Sequence, residues 1–176
     1  KISEVNKCGR KMAEAHIISQ DKYGYDGCVI DFDDATIAEA VGAKVIYRDD
    51  EPAIVDEGQP VLKDLRDIYD MPIPDPMTSG RLNVWLEATS RLNEAIGDHV
   101  FIMGRADQGP FSIACLLRGT TQFMMDLMTE DEKIINDVLD YCRRISAVFA
   151  KAQKDAGAHA TSIGDAFAGP NLISPD

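Results

Sequence analysis

The sequence predicts an α/β fold built on a parallel sheet, and three observations carry that prediction. Residues 28–30 and 100–103 are short apolar runs of strand length, and 161–163 reads as a third strand. Between them lie segments whose apolar residues recur at three- and four-residue steps, the spacing of amphipathic helices. Each run also passes directly into charge: Asp31, Asp33 and Asp34 after the first, Arg105 and Asp107 after the second, Asp165 after the third. Single strands separated by helices imply right-handed parallel crossovers, which bring the charged ends to one edge of one sheet. In α/β proteins the loops at that edge hold the chemistry.

Ile2, Val5, Gly9, Met12 and His16 make residues 1–22 an amphipathic helix, with His16 at the edge of its buried face. A turn at 23–27 leads into the first strand and then Asp31-Phe32-Asp33-Asp34. Three carboxylates within four residues repel one another unless a cation, a metal or a proton is near, so at least one is expected to serve function. Asp34 is a candidate cap for a short helix at 35–41, which Gly42 closes. Residues 44–47 and 53–55 alternate enough for a small hairpin. Pro72, Pro74 and Pro76 impose an extended connector.

Ser79 is placed to cap a helix whose Leu82, Trp85, Thr89, Leu92 and Ile96 form one stripe before Gly97. After the second strand, Gly104-Arg105-Ala106-Asp107-Gln108 forms a polar loop, and Gly109-Pro110 opens a helix through proline at its first turn. Arg105, Asp107 and Gln108 would lie at a mouth, with the Gly109 backbone and the helix N-terminus available to an anionic group. Arg105 and Asp107 could equally pair with each other at the surface. Thr129 with Glu132 reads as a capping box for a long helix over 130–156, with Ile135, Leu139, Cys142, Ile145, Phe149 and Ala152 facing inward. Gly157 ends it.

At 176 residues and 45% hydrophobic side chains, the chain can bury a core as one domain spanning 1–176. Thirty acidic against eighteen basic residues give a formal charge of −12, which argues against nucleic-acid or anionic-membrane partners. Cys8, Cys28, Cys115 and Cys142 are far apart, as are His16, His99 and His159, so neither a disulfide framework nor a zinc module is expected. A reducing cytoplasm fits, and no apolar run approaches membrane-spanning length. The absence of an initiator methionine, together with an end at Ile173-Ser174-Pro175-Asp176 that looks like a helix start, suggests that both termini are cuts.

Phe-Asp-Asp-Ala-Thr-Ile-Ala-Glu-Ala-Val-Gly-Ala-Lys-Val at 32–45, Gly-Pro-Phe-Ser-Ile-Ala-Cys-Leu-Leu-Arg-Gly at 109–119 and the closing segment 155–175 resemble the uroporphyrinogen decarboxylase superfamily. Within it, the likeness is closest to corrinoid-dependent methyltransferases of the methylcobamide:coenzyme M type. The resemblance covers nearly the whole chain but only about the first half of such a protein, and it implies the first half of a (β/α)8 TIM barrel. In the decarboxylases an aspartate that contacts pyrrole nitrogens falls at Asp33. Their tyrosine falls near Cys115 and their serine at Ala166, two departures that favour the methyltransferases. That likeness implies methyl transfer from a corrinoid on a partner protein to a thiol-type small-molecule acceptor. Zinc would bind the acceptor as thiolate, through ligands in the half not present here. The alternatives are a uroporphyrinogen decarboxylase and a non-catalytic barrel fragment that binds a partner; a homodimer is open in each case. The site expected from all this has Asp33 and Asp165 as catalytic carboxylates and Arg105, Asp107, Gln108 and Gly109 as substrate-binding residues. Asp33 is expected to face the mouth beside Asp165 and Arg105, with Asp31 on its side, and no metal site is expected within the chain.

Overall fold

The structure is a computed structural model and describes residues 1–106, 108–170 and 172–173. Its helices are α1 (Ile2–Val5), α2 (Gly9–Tyr23), α3 (Thr36–Ala40), α4 (Leu82–Ile96), α5 (Pro110–Arg118), α6 (Thr120–Thr129) and α7 (Glu132–Asp155). Between them run β1 (Gly27–Val29), β2 (Val45–Ile46), β3 (Ile54–Val55), β4 (Phe101–Arg105) and β5 (Ala160–Ser162). Short 3-10 turns occupy Leu65–Asp70 and Ala166–Ala168.

The sheet order is β1-β4-β5 and both pairings are parallel, with Val29 opposite Met103 and Arg105 opposite Ser162. β2 and β3 pair separately as an antiparallel hairpin. Strand alternation sends Cys28, Ile102 and Gly104 into the helical layer, whereas Val29, Phe101 and Met103 lie on the more open face. Trp85 and Phe149 meet edge to face in the layer between α4 and α7, their centroids 6.5 Å apart. Gln153 of α7 donates from Nε2 to the Arg105 carbonyl at 2.9 Å and lies directly over Gly104. A Cβ at 104 would collide with that side chain, so glycine here is what lets the long helix close on the central strand.

The structure departs from the sequence reading at several element ends. The first helix breaks at residues 6–8, because Asn6 turns inward and gives its carbonyl to Arg81 at 3.3 Å. Gly9 then starts α2 where any Cβ would strike Val84 and Glu87 of α4. Ser79 forms no side-chain cap: Gly80, at φ +54°, turns the chain against Ala40, and Arg81 takes the N-cap position of α4. Thr129 closes α6, its hydroxyl donating to the Met125 carbonyl, so Asp131 caps α7 by accepting the Lys133 N–H at 2.8 Å. The 3-10 turn at Leu65–Asp70, held by reciprocal Asp64 and Asp67 caps, has no counterpart in the sequence reading. Among the described residues, no helix is long and apolar enough to cross a membrane.

Candidate functional site

The parallel strands aim their carboxyl ends at a cleft of about 780 Å³. Its walls are the loop after β1, the β2–β3 hairpin, Arg105 and Gln108 after β4, Leu116 of α5, and Ala166 and Phe167 beyond β5. Arg105 is the last residue of β4, on the open face of the sheet, and its guanidinium forms ion pairs with Asp31 and, at 3.5 Å, with Asp34. Two of the three clustered carboxylates therefore have their cation in Arg105. Asp107 lies outside the described residues.

Asp33 borders the cleft, but its carboxylate is buried and paired with Arg81 rather than with Arg105, which differs from the expectation that it faces the mouth beside Asp165 and Arg105. Its side chain is 0% exposed, against 7% for that of Arg81. Arg81 grips it with both ends of the guanidinium, Nη1 to Oδ2 at 2.8 Å and Nη2 to Oδ1 at 3.0 Å. Oδ1 also accepts the Ala35 N–H at 3.0 Å and the Thr36 hydroxyl at 3.2 Å, so Asp33, and not Asp34, holds the start of α3. Asp31 consequently does not share its side. Arg81 spends its remaining Nε–H on Glu39 at 2.5 Å, and Glu39 in turn accepts from the Tyr47 hydroxyl. Burial opposes the charge on Arg81, but the bonds and charge of Asp33 and then Glu39 outweigh it, so the guanidinium is held protonated above its ordinary range. Four donors of the chain itself thus occupy the Asp33 carboxylate.

Asp165 is likewise engaged. It accepts the backbone N–H groups of Phe111 at 3.0 Å and Ser112 at 2.8 Å, and the Ser112 hydroxyl at 2.6 Å. The anion at the N-terminus of α5 is therefore part of the chain itself. The reading that Gly109 and this helix end await an anionic ligand is corrected accordingly, since the Gly109 N–H donates to the Gly164 carbonyl. A Cβ on Gly109 would run into the Asp165 carboxylate, which explains glycine before the proline. Gln108 borders the cleft at φ +84°, the only non-glycine with positive φ among the described residues, and its carbonyl accepts from Ser146 at 3.1 Å. Such a conformation costs on the order of 1 kcal/mol or more in a non-glycine residue and persists only where neighbours impose it.

No group of three or more His, Cys, Asp or Glu able to hold a metal occurs among the described residues. Burial, reinforced by the Asp165 charge, pushes the Cys115 thiol up to about 12, and Cys142 rises as well for the same reasons in the same order. Both stay protonated near neutrality, so this donor set does not suit zinc.

The family described as "Uroporphyrinogen decarboxylase (URO-D)" matches residues 1–176 in full. The chain belongs to the uroporphyrinogen decarboxylase family. Among its curated relatives are the methylcobamide:CoM methyltransferases MtbA of Methanosarcina mazei, 27% identical over 97% of this chain and 49% of the relative, and MtaA of Methanosarcina barkeri, 24% identical over 94% of this chain and 48% of the relative. A solved structure of a methyltransferase from Methanosarcina mazei superposes with a TM-score of 0.86 at 26% identity, covering 98% of this chain and 50% of that one. The chain thus spans about half the length of the curated relatives it matches.

Arg81 was absent from the sequence reading of the site, although a signal for it exists. It lies four residues before Trp85, in phase with the buried stripe of α4, and a charge on a buried face must be paired. For Asp165 the comparable signal is that α5 has glycine, with no side-chain acceptor, at its N-cap position.

Proposed function

We propose that this chain is the N-terminal part of a methyltransferase that moves a methyl group from a corrinoid carried on a partner protein to a thiol-type acceptor. The observation that carries the reading is the cleft at the carboxyl edge of the sheet, in a fold shared with a Methanosarcina methyltransferase. In this reading Arg105, Gln108 and the Asp107 loop contact the small molecule. Arg105 is the suited group, because a guanidinium already shared between Asp31 and Asp34 can exchange one carboxylate for a polar or anionic group of the ligand. Asp33 and Asp165 serve the reaction by holding the loop after β1 and the start of α5 in place, rather than by transferring protons.

Zinc is proposed only from outside residues 1–176, since Cys115 and Cys142 are buried and protonated and no metal-binding cluster occurs among the described residues. All four cysteines are free, in keeping with the proposed cytoplasmic location. Cys115 of α5, near which the decarboxylase resemblance places a tyrosine, is a fully buried cysteine, which supports methyl transfer over tetrapyrrole decarboxylation.

The test uses the full-length protein with free methylcobalamin and 2-mercaptoethanesulfonate, following loss of the cobalt–methyl absorbance. Transfer is expected in the wild type, and Arg105→Ala should raise the acceptor KM by roughly tenfold while leaving the melting temperature close to wild type, as for a partly exposed ion pair. Carbon dioxide release from uroporphyrinogen without methyl transfer would replace this reading with the decarboxylase.

A further inference from the structure

We propose that Arg81 is a positioning residue for the cleft: by drawing Asp33 into the helical layer, it determines that Asp31 and Asp34 are the carboxylates that face Arg105. Asp31, Asp33 and Asp34 are chemically alike and lie within four residues. Two arginines sort them from opposite sides. Arg105, at the end of β4, takes Asp31 and Asp34 on the cleft side, and Arg81, at the start of α4, takes Asp33 behind.

The geometry on the Arg81 side is that of a fitted fork. Nη1 and Nη2 each meet a different oxygen of Asp33, Nε meets Glu39, and Nη1 also reaches the Asn6 carbonyl. The guanidinium carbon lies 5.1 Å from the centroid of the Tyr47 ring. Lysine could keep the charge but not these bonds together.

Stability alone does not call for this arrangement, because a buried ion pair roughly breaks even against a well-packed apolar pair. An amide at 33 could still accept from Ala35 and Thr36. What neither replacement supplies is a reason for a charged Asp33 to stay behind the loop when a second guanidinium lies in front of it. With Arg81 removed, the uncompensated carboxylate leaves the helical layer for Arg105 or solvent. It then releases the Ala35 and Thr36 bonds and displaces Asp31 or Asp34 at the cleft.

The kinetic half of the test rests on the methyl-transfer reading; the other half does not. In full-length protein, Arg81→Met, Arg81→Lys and the double variant Arg81→Met with Asp33→Asn are compared with wild type. Amide hydrogen exchange at Ala35, whose N–H donates to Asp33, and the KM and kcat for transfer from free methylcobalamin to 2-mercaptoethanesulfonate are measured. Arg81→Met should speed exchange at the Ala35 amide by at least tenfold and lower kcat/KM by up to roughly 10²-fold, the span for a misplaced reacting geometry. Arg81→Lys should fall between. The double variant, with no stray carboxylate, should return both readouts to within a few-fold of wild type. Wild-type exchange and KM in Arg81→Met would overturn the proposal, and so would equal impairment of the single and double variants, which marks a purely structural pair. If the wild type transfers no methyl group, the methyl-transfer reading fails while the exchange measurements still decide the role of Arg81.

Discussion

Removing the Asp165 carboxylate separates a structural anion from a reacting one. Three donors converge on it, the N–H groups of Phe111 and Ser112 and the Ser112 hydroxyl, at 2.6–3.0 Å. They are the first-turn groups of α5, which its own N-cap residue, Gly109, cannot satisfy. Asp165→Ala loses a cap worth about 1 kcal/mol, a favourable charge at the positive helix end worth up to about 1 kcal/mol, and leaves part-buried donors unpaired at about 1 kcal/mol or more, a total of roughly 2–4 kcal/mol. Asp165→Asn keeps one acceptor oxygen and should lose about half of that. Ser112→Ala gives up the shortest bond, and also the acceptor of the Phe167 N–H, and should couple to Asp165→Ala with an interaction energy near 1 kcal/mol. Urea unfolding of the full-length variants, read at constant m-value, gives these numbers directly. Turnover of Asp165→Asn should stay within a few-fold of wild type. Wild-type stability in Asp165→Ala combined with a collapse of kcat would refute the reasoning and make Asp165 a reacting group.

Gly109→Ala places a methyl group against the Asp165 carboxylate and the loop bearing it, so it should destabilise by about 2 kcal/mol or more, and Asp165→Ala in the same chain should relieve much of that loss. Burial pushes the His16 pKa below its ordinary 6.5, and its Nε2 has no hydrogen-bond partner among the described residues. The unfolded chain therefore binds the proton more readily, so this contribution to stability is complete above about 6.5 and declines as the pH falls from there towards the lowered folded-state pKa. His16→Phe, which keeps the edge contact made with Phe32 at 5.3 Å, should flatten that part of the stability profile; an unchanged acid slope would show that His16 does not contribute to it. Iodoacetamide at pH 8 followed by peptide mapping should label half-buried Cys8 well before Cys28, Cys115 and Cys142, which are buried and whose pKa values are raised by burial. Early labelling of Cys115 would contradict the closed packing of α5.

The strands and their parallel order were legible because both depend on local pattern: short apolar runs, helical spacing between them and the chirality of the crossover. The stripes of α4 and α7 were legible for the same reason, with Leu82, Trp85, Thr89, Leu92 and Ile96 all buried as their spacing requires. The carboxylates were legible only as a set. Which of Asp31, Asp33 and Asp34 enters the cleft depends on guanidinium groups 48 residues from Asp33 in one case and at the end of a neighbouring strand in the other. No window of sequence holds that choice. Asp165 repeats the pattern, since its donors lie 53 and 54 residues back, at the start of a helix that local rules describe as merely uncapped. In both places a residue nominated for chemistry by its position at the sheet edge is occupied with satisfying backbone or buried charge. Arg105, nominated on the same ground, remains at the cleft because its partners lie on the loop that walls it. Position at the carboxyl edge therefore identifies where a site is. The pairing of each charge, set by tertiary contacts, decides which of its residues are left to meet a ligand.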